Sequence, residues 1–370
     1  MKKILIATIC LLCYSFCFSA EFGGIIKSNT ELLIPTQGDI LWGETIDASA
    51  YTKIPFSTKD DFNSYFAVEG VYRFRITQNG NTNSLNLPLI KLNMTSYFGN
   101  GFVSVSAGRF FTSDITSNIF AQESDGVSGI YMTDVVNASM YAGYTGLLNS
   151  RFVSMHGNSD YEFESGNFYD LSLPYIVIGG TVSLPYLFLK QSLSLDVWGF
   201  IGTQNINRNN IYASASITGP ISNQLFYTLI ASGSFINKEE QGFTPGLFAS
   251  GEIDYYFSKI SSVVSAYAKY ATKDFETVTI TTTLAGLNWN NILAAGFSST
   301  IIPVNPLALK VLGEAVLQVD TMDYLGTQFA AECRWQVLSD VLFQVSGKYF
   351  LAKEIDSSTT NVSVKAIISF

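Results

Sequence analysis

The segment FNSYFAVEGVYRFRI, residues 62 to 76, decides the fold that this sequence predicts. Apolar and polar residues alternate along it with period two, the period at which successive side chains of a β-strand point to opposite faces. The segment therefore predicts a strand with two unlike faces. Phe62, Phe66, Val68, Tyr72, Phe74 and Ile76 point one way, and Asn63, Glu69, Arg73 and Arg75 point the other.

The same alternation recurs along the whole chain, and no stretch of comparable length shows a convincing helical period. In LGTQFAAECRWQV, residues 325–337, an apolar face containing Phe329 and Trp335 opposes a polar face containing Glu332 and Arg334. The pattern predicts an all-β protein. Further segments of this kind are SLSLDVWGFI (192–201), LFASGEIDYYF (247–257), SSVVSAYAKYA (261–271), TVTITTTLAGL (277–287), ALKVLGEAVLQVD (308–320), VLFQVSGKYFLA (341–352) and NVSVKAIISF (361–370).

Two architectures alternate in this way: a soluble β-sandwich or β-helix, and a β-barrel in a membrane. The segments run about 9 to 13 residues, the length at which a tilted strand crosses a bilayer and about twice the usual length in globular sheets. Connections such as QNGNTNS and NINRNN are rich in turn residues. These features favour the membrane barrel. Aromatic residues gather near segment ends, as interfacial girdles do: Tyr65 and Phe66, Phe110 and Phe111, Tyr255 to Phe257, and Tyr349 and Phe350.

The composition is that of a protein with a large apolar exterior. Hydrophobic residues make up 47% of the chain and charged residues only 14%, against about 25% charged residues in an ordinary soluble domain. After residue 20 no uninterrupted apolar stretch reaches the roughly 18 residues that a transmembrane helix requires. The sequence therefore predicts a membrane protein without transmembrane helices.

The first residues, MKKILIATICLLCYSFCFSA, have the layout of a secretory signal peptide. Two lysines precede an apolar run that is too short to span a bilayer, and small residues follow it. We expect residues 1–19 to be removed by cleavage between 19 and 20, or alternatively between 20 and 21, so that 20–370 form one domain. A lipidated Cys17 is the alternative.

Removal of that segment leaves one cysteine and a strongly acidic chain. Cys10, Cys13 and Cys17 leave with it, and Cys333 alone cannot form an intrachain disulfide. Loss of two lysines reduces the 21 basic residues to 19 against 30 acidic ones, a net charge of 19 − 30 = −11. This charge argues against nucleic acid and anionic lipid as partners.

A sheet in hydrocarbon must close on itself, because lipid offers no hydrogen-bond partner to a free strand edge. The alternating segments number about 19, but a bacterial barrel with both termini on one side needs an even number of strands. We predict a closed antiparallel barrel of 18 strands, with 16 as the main alternative, and no separate plug domain. The ambiguous regions are GVSGIYMTDVV (126–136) and LSLPYIVIGGTVSLPYLFLK (171–190).

The chain ends on an aromatic residue, in an alternating strand that must pair with the N-terminal strand to close the barrel. This ending resembles the C-terminal signal by which bacterial outer-membrane β-barrels are recognised by their insertion machinery. The resemblance implies an outer-membrane location, with both termini in the periplasm and outer-membrane lipid around the barrel. Its residues are Val362, Val364, Ala366, Ile368 and Phe370, of which Val364, Ile368 and Phe370 are the predicted assembly signal.

A barrel of this size has room for an aqueous lumen, so function should be sought among its inward-facing residues. The inward phase predicts a nearly neutral wall, for which two interpretations stay open. Either the charges satisfy one another, or Arg73 and Arg75 face carboxylates across the lumen and create a transverse field. The inward basic residues are Arg73, Arg75, Lys269, Lys310, Arg334, Lys348 and Lys365, and the acidic ones are Glu69, Asp196, Glu252, Asp254, Glu314 and Glu332.

One connection, roughly residues 112–126, is longer and less polar than its neighbours. The stretch from Ser106 to Gly146 resembles the general porin plan of a strand ending in Gly-Arg, an infolded loop, an Asp-Gly turn and the next strand. An infolded loop would let Asp114, Glu123 and Asp125 narrow the pore, and an external loop is the alternative. Arg109 lies on the lipid-facing phase of its strand, and a bulge at Gly108 would turn it inward.

Enzymatic and metal-binding motifs are weak or missing. The only histidine, His156, lies in a polar loop near Ser154, Ser159, Asp160 and Glu162, and no GxSxG elbow accompanies it. One histidine and one cysteine cannot build a tetrahedral zinc site. We therefore predict no enzyme activity, metal or cofactor.

The remaining function is a passive channel for small hydrophilic solutes. The alternatives are a surface adhesin that binds through its loops and a transporter of hydrophobic compounds. Association of the chain into a homo-oligomer stays open.

Overall fold

A computed structural model describes residues 20–56, 63–156, 168–204, 206, 208–238, 242–284, 286–354 and 357–370. The predicted signal peptide, residues 1–19, lies outside the described residues. The two predicted cleavage positions lie on either side of residue 20, the first described residue. Within the described residues, no helix is long and apolar enough to cross a membrane.

The described residues form eighteen β-strands and one three-residue 3-10 turn, Ser258–Ile260. The strands run 8 to 19 residues, and most reach the length that a tilted strand needs to cross a bilayer. The strands are β1 (Glu21–Pro35), β2 (Leu41–Pro55), β3 (Tyr65–Thr77), β4 (Gly80–Phe98), β5 (Gly101–Ser113), β6 (Ala121–Met132), β7 (Asn137–Tyr144), β8 (Tyr175–Phe188), β9 (Gln191–Gly202), β10 (Arg208–Pro220), β11 (Leu225–Lys238), β12 (Gly242–Phe257), β13 (Ser262–Ala271), β14 (Ile292–Val304), β15 (Leu307–Gln318), β16 (Tyr324–Leu338), β17 (Val341–Ala352) and β18 (Thr359–Ser369).

Every strand pairs antiparallel with its sequence neighbours, and β18 pairs with β1 to close the cylinder. Ile25 lies opposite Ser369, and backbone hydrogen bonds join Gly24 and Phe370 in both directions, at 2.9 and 3.0 Å. The start of β1 and the end of β18 therefore lie at the same end of the barrel, called here the terminal end. The closed all-β barrel and its 18 strands are confirmed, and the alternative of 16 strands is wrong.

The extra segment in the sequence-based estimate of about 19 is TVTITTTLAGL, residues 277–287. It is not a strand of the wall: apart from isolated bridges it is irregular, and it lies in the connection between β13 and β14. The region around Pro185 is one strand, β8, with a register shift between Leu184 and Phe188. GVSGIYM ends β6, and a turn follows before β7.

The two faces of the barrel wall differ as the alternation predicts. Val103 and Val105 of β5 are 38% and 45% exposed, whereas Ser104 and Ser106 between them are 8% and 3% exposed. In a closed barrel the exposed apolar face looks outward to lipid. The aromatic side chains at the end of β12 are exposed, as girdle residues are, but Phe110 is 6% exposed and packs inside. The expectation of a girdle position for Phe110 is wrong.

The connections differ strongly between the two barrel ends. At the terminal end, most are tight turns, such as 99–100 and 339–340. At the other end lie the connection between β5 and β6, the long one between β7 and β8 and the long one between β13 and β14. The described parts of these three, called here the inner loops, are residues 114–120, 145–156 with 168–174, and 272–284 with 286–291.

Candidate functional site

The β5–β6 hairpin leaves the barrel wall at a pair of glycines. Pairing between β4 and β5 ends at Ile90 and Arg109, and pairing between β6 and β7 ends at Asp125 and Tyr144. Beyond these points β5 and β6 pair only with each other. Gly108, opposite Gly126, has φ +118°, a backbone conformation that glycine adopts far more easily than any residue with a Cβ atom. The hairpin bends there.

The predicted bulge at Gly108 is wrong, although the inward turn of Arg109 occurs. The ladders of β5 with both neighbours run without a register shift, so no residue is inserted. The left-handed φ of Gly108 changes the phase instead. A register shift does occur in the neighbouring ladder of β3 and β4. Glu69 pairs with Leu89 and Val71 pairs with Asn86, so β4 has one extra residue there.

The tip of this hairpin crosses the interior. The Ile119 carbonyl accepts hydrogen bonds from Val278 N–H at 2.9 Å and Thr279 N–H at 3.0 Å, both of which belong to the connection between β13 and β14. Ile115 N–H donates to a carboxylate oxygen of Asp196, in the middle of β9, at 2.8 Å. The infolded arrangement of 112–126 is therefore the one that the structure has.

Asp114 holds this tip together. Its carboxylate accepts hydrogen bonds from the N–H groups of Thr116, Ile119 and Phe120 at 2.8, 3.2 and 2.8 Å. The residue is 2% exposed, and burial raises the pKa of Asp114 while the bonds from Thr116 and Phe120 oppose that rise. This corrects the expectation that Asp114 narrows the open pore, because its carboxylate serves its own loop.

The other two inner loops complete the same layer. Ile280 N–H donates to the Ser154 carbonyl at 2.9 Å, and His156 N–H donates to the Val278 carbonyl at 2.8 Å. Further along, Leu284 N–H donates to the Glu314 carboxylate of β15 at 2.9 Å. The three loops thus form one hydrogen-bonded unit inside the barrel.

Between this unit and the wall from β5 to β15 lies a dry aromatic core. Phe120 packs against Phe200 with ring centroids 5.1 Å apart, and Phe248 stacks on Phe275 at 5.4 Å. Side chains of this size, fully removed from water, are the main stabilising contribution to such a layer. One half of the interior is therefore closed. The core comprises Phe110, Ile119, Phe120, Tyr141, Met155, Leu173, Tyr175, Val177, Trp198, Phe200, Ile206, Tyr212, Phe248, Ala271, Phe275, Val278, Trp289, Ile292, Ala294 and Val316.

The other half of the interior is less filled and is lined by polar and basic side chains. A cavity of about 1050 Å³ lies against β18, β1, β2, β3 and the upper part of β4. The strand register sets Lys365, Asn29, Thr45 and Arg75 in one row across four adjacent strands. Five basic and two acidic residues line the cavity, a formal charge of 5 − 2 = +3. They are Lys27, Arg73, Arg75, Arg151 and Lys365, and Glu31 and Asp47.

Only part of this positive charge is neutralised within the protein. Arg73 binds Asp47 through two hydrogen bonds, at 2.7 and 2.9 Å, and Arg151 pairs at 2.8 Å with Asp170, which lies outside the cavity lining. In the part of the chain that the structure describes, Lys27, Arg75 and Lys365 form no ion pair. Unpaired cations on a wet wall attract anions.

The remaining predicted wall residues occupy distinct places. A second cavity of about 210 Å³, below Leu284, is lined by Glu252, Lys269, Lys310 and Glu314. The others lie as follows: Glu332 pairs with Arg334 at 2.5 Å, Asp254 accepts a bond from Ser265, Lys348 lies exposed on the inward phase of β17, Glu69 lies opposite Leu89, and Glu123 lies opposite Phe111 on the infolded hairpin.

Arg109 and Asp125 meet at the bend of the hairpin. Two hydrogen bonds of 2.9 and 2.8 Å join them, and Arg109 also donates to the Leu147 carbonyl and to the Tyr169 hydroxyl. Arg109 is 7% exposed. This pair therefore neutralises itself while it anchors the connection between β7 and β8.

Sequence reasoning missed Lys27, Asp47, Arg151 and Asp170. The first two stand on the inward phase of β1 and β2, so the alternation already contained the signal. Arg151 pairs with Asp170 at 2.8 Å within the connection between β7 and β8. Because this connection is not a strand, its sequence has no alternation that could have predicted the pair.

His156 lies at the junction of two inner loops. The Tyr175 hydroxyl donates to its carbonyl at 3.2 Å. Burial lowers the pKa of His156, as does the nearby charge of Arg208, while Glu276 raises it. Arg208 and Glu276 approach each other to 2.6 Å. The sequence neighbours Ser159, Asp160 and Glu162 lie outside the described residues. The described surroundings of His156 are thus an ion pair and a loop contact.

The fold of this chain is similar to that of several solved structures. OccK5 (OpdH) of Pseudomonas aeruginosa matches at a TM-score of 0.66 and 9% identity, over 96% of this chain and 99% of that chain. The chain has the fold of an outer-membrane β-barrel. Acinetobacter baumannii OccAB4 gives 0.63 at 8% identity over 95% and 98%, and the P. aeruginosa outer membrane protein OprD gives 0.61 at 9% over 95% and 93%.

Sequence comparisons add nothing to this likeness. No protein-family model matches the chain, and no curated protein sequence matches it. At 7 to 9% identity to the solved structures, the likeness concerns the fold alone.

Proposed function

We propose that this protein is a passive channel of the bacterial outer membrane for small hydrophilic solutes, with a preference for anions. The observation that carries the proposal is the cavity of about 1050 Å³ with its formal charge of +3. Lys27, Arg75 and Lys365 lie there without ion-pair partners among the described residues. Electrostatic attraction into a narrow, wet passage raises the local concentration of the oppositely charged solute.

The barrel interior has one half filled by the inner loops and one half left unfilled, and this arrangement supports passage of a solute through the barrel. The inner loops fill one half and leave the basic half open, so a solute that enters would move along charged and amide groups of β18, β1, β2, β3 and the upper part of β4. Asn29, Asn81 and Asn83 contribute amides to this wall. A wall of this kind can exchange hydrogen bonds with a hydrated solute, as channel linings do.

One of the solved structures with a similar fold is consistent with an anion channel. One of them is described as P. aeruginosa OpdK with vanillate, a protein that matches over 95% of this chain at a TM-score of 0.60 and 8% identity. Vanillate is a small carboxylate. We extend from that protein only the class, a small hydrophilic anion, because the cavity of this chain has the complementary charge.

The orientation follows from the same proposal. The end with the termini and the tight turns faces the periplasm, and the end with the inner loops faces outward. Phe370, hydrogen-bonded to Gly24 at the barrel seam, together with Val364 and Ile368 forms the signal that the insertion machinery reads.

Bilayer recording tests the proposal. In a salt gradient the refolded protein should give discrete conductance steps and a reversal potential that indicates anion preference. The double variant Arg75→Glu and Lys365→Glu changes the cavity charge by −4, from +3 to −1, and should reverse that preference. Folding is verified by a shift in apparent mass between unheated and boiled samples.

A matched control carries the same change in charge outside the cavity. Lys190→Glu with Lys259→Glu alters two exposed side chains in turns at the terminal end, where we expect little change in reversal potential. A folded barrel without conductance would reject the channel, and equal shifts in both double variants would reject the role of the basic wall.

A further inference from the structure

The upper part of the barrel wall contains a seam that is not a strand ladder. Strand β4 pairs with β5 only from Ile90 to Phe98, because the β5–β6 hairpin has folded inward. Residues 80–89 of β4 keep β3 on one side, and a ribbon of the connection between β7 and β8 covers the other. This ribbon consists of residues 147–152 and 168–173.

The ribbon is a short two-stranded element. Ser150 N–H donates to the Asp170 carbonyl, and Ser172 N–H donates to the Leu148 carbonyl, each at 2.8 Å. Asn149 forms an isolated antiparallel bridge with Leu171. The ribbon therefore has backbone hydrogen bonds of its own, separate from those to β4.

At its lower end the ribbon is anchored by the Arg109 guanidinium, which donates to the Leu87 carbonyl of β4 at 3.4 Å and to the Leu147 carbonyl and the Tyr169 hydroxyl of the ribbon. Above that anchor, few hydrogen bonds join the ribbon to β4. Among the described residues, one backbone hydrogen bond crosses the seam, from Leu85 N–H to the Phe168 carbonyl at 3.3 Å. The Asn149 side chain donates to the Leu85 carbonyl at 2.6 Å, and the Arg151 side chain donates to the Asn83 carbonyl at 3.5 Å. In place of a continuous ladder, side chains cap alternate carbonyls of a free strand edge.

The position of the seam relative to the membrane lowers the free-energy cost of opening it. Tyr97 and Phe98, exposed at the terminal end of β4, mark one membrane interface. A tilted strand needs about 9 to 11 residues to cross the hydrocarbon, which places the other interface near Pro88. The seam at Asn83 and Leu85 then lies at or above the outer headgroups, where water can satisfy the backbone groups that separation would expose.

The inner side of the ribbon touches the basic wall. The Phe152 ring lies 4.2 Å from the Arg73 guanidinium, and Arg73 donates to the Arg151 carbonyl at 3.5 Å. Arg151 and Phe168 also line the large cavity. Movement of the ribbon away from β4 would therefore change both the width and the charge of the outer mouth.

We propose that the ribbon is a gate of the channel: above its anchor at Arg109 it separates reversibly from the free edge of β4 at Asn83 and Leu85, and so switches the outer mouth between a narrow and a wide state. The gate rests on the proposed channel function. Wild-type protein should then show two open conductance levels. Weakening the seam should favour the larger level, and locking it should leave only the smaller one.

Asn149→Ala weakens the seam, because it removes the shortest bond across it. We expect the fraction of open time at the larger level to rise at least threefold. Asn118→Ala is the matched control, since among the described residues the Asn118 side chain donates to Thr116 of its own loop and not across the seam. It should leave the level occupancies unchanged.

Leu85→Cys with Phe168→Cys locks the seam, in a Cys333→Ser background. Tyr72 pairs with Leu85 and its ring contacts Phe168, so Leu85 and Phe168 project toward one face. Backbone groups that share a ladder-like hydrogen bond lie within disulfide range. Oxidation should abolish the larger level and a reductant should restore it.

The outcomes separate the two proposals. A folded wild-type barrel with no conductance rejects the channel. A conducting wild type with one level, two levels that survive the disulfide, or unchanged occupancies in Asn149→Ala reject the gate and leave the channel intact.

Discussion

Replacement of Gly108 by alanine should prevent the bend that brings the β5–β6 hairpin into the lumen. A Cβ atom at Gly108 would lie 1.9 Å from the Ile90 carbonyl oxygen and 3.0 Å from its carbonyl carbon. Both atoms belong to the backbone of β4, so no side-chain rotation relieves the clash. The residue would in addition have to adopt φ +118°, which alanine rarely does.

The two penalties add. A non-glycine residue held in a sparsely populated conformation costs about 1 to 3 kcal/mol, and overpacking costs roughly 1 to 3 kcal/mol more. We expect Gly108→Ala to lower the free energy of unfolding by about 2 to 6 kcal/mol. Gly129→Ala in β6 is the control, because its Cβ would meet nothing within 4 Å. Its effect should stay under about 1 kcal/mol.

Urea unfolding in lipid vesicles measures both variants, with the fluorescence of the buried Trp198 and Trp289 as the signal of inner packing. Bilayer recording supplies an independent readout, since a hairpin that fails to bend inward should leave a wider, noisier pore. Equal unfolding midpoints for Gly108→Ala and Gly129→Ala would refute the assignment of the bend to Gly108.

Three further changes test other parts of the barrel. Gly24→Leu should reduce the yield of heat-modifiable barrel in refolding, because a Cβ at Gly24 would lie 2.5 Å from the Phe370 ring; normal yield would contradict closure through that contact. Arg109→Gln should destabilise by about 3 kcal/mol by stranding Asp125, and the added Asp125→Asn should restore part of the loss in urea titrations. Since burial and a neighbouring guanidinium lower the pKa of His156, the undocked loop binds its proton more readily. Docking should therefore weaken as pH falls below about 6.5, seen as extra gating in recordings that His156→Gln abolishes.

The strand alternation predicted the wall because a membrane barrel imposes one rule on every strand, apolar outward and polar inward. The same rule explains why TVTITTTLAGL was mistaken for a strand. An inner loop packed against a dry core also has one buried side and one open side: Val278 is 1% exposed, whereas Ile280 is 41% exposed. Alternation reports two unlike environments, and it does not say whether one of them is lipid.

The interior of the barrel was less predictable, because it depends on register and on distant contacts. The Arg73–Asp47 pair exists since the register sets these residues opposite each other, and no local pattern fixes that register. Asp114 did carry a local signal, since an aspartate two residues before a threonine in a turn commonly caps nearby N–H groups. That reading competes with a pore-facing one, and only the folded loop decides between them.

The dry and wet halves of the interior act together. The aromatic core around Phe120 and Phe200 is a medium of low polarity on one side of the passage, and low-dielectric walls concentrate the field of nearby charges into the water. Lys27, Arg75 and Lys365 on the opposite side form no ion pair among the described residues. They should therefore act more strongly on a solute than the same charges on an open surface. It follows that the aromatic core sets the width of the passage, whereas the basic row sets its selectivity for charge. Changes in the core should alter conductance mainly through the width of the passage, whereas changes in the basic row should alter reversal potential at nearly constant width.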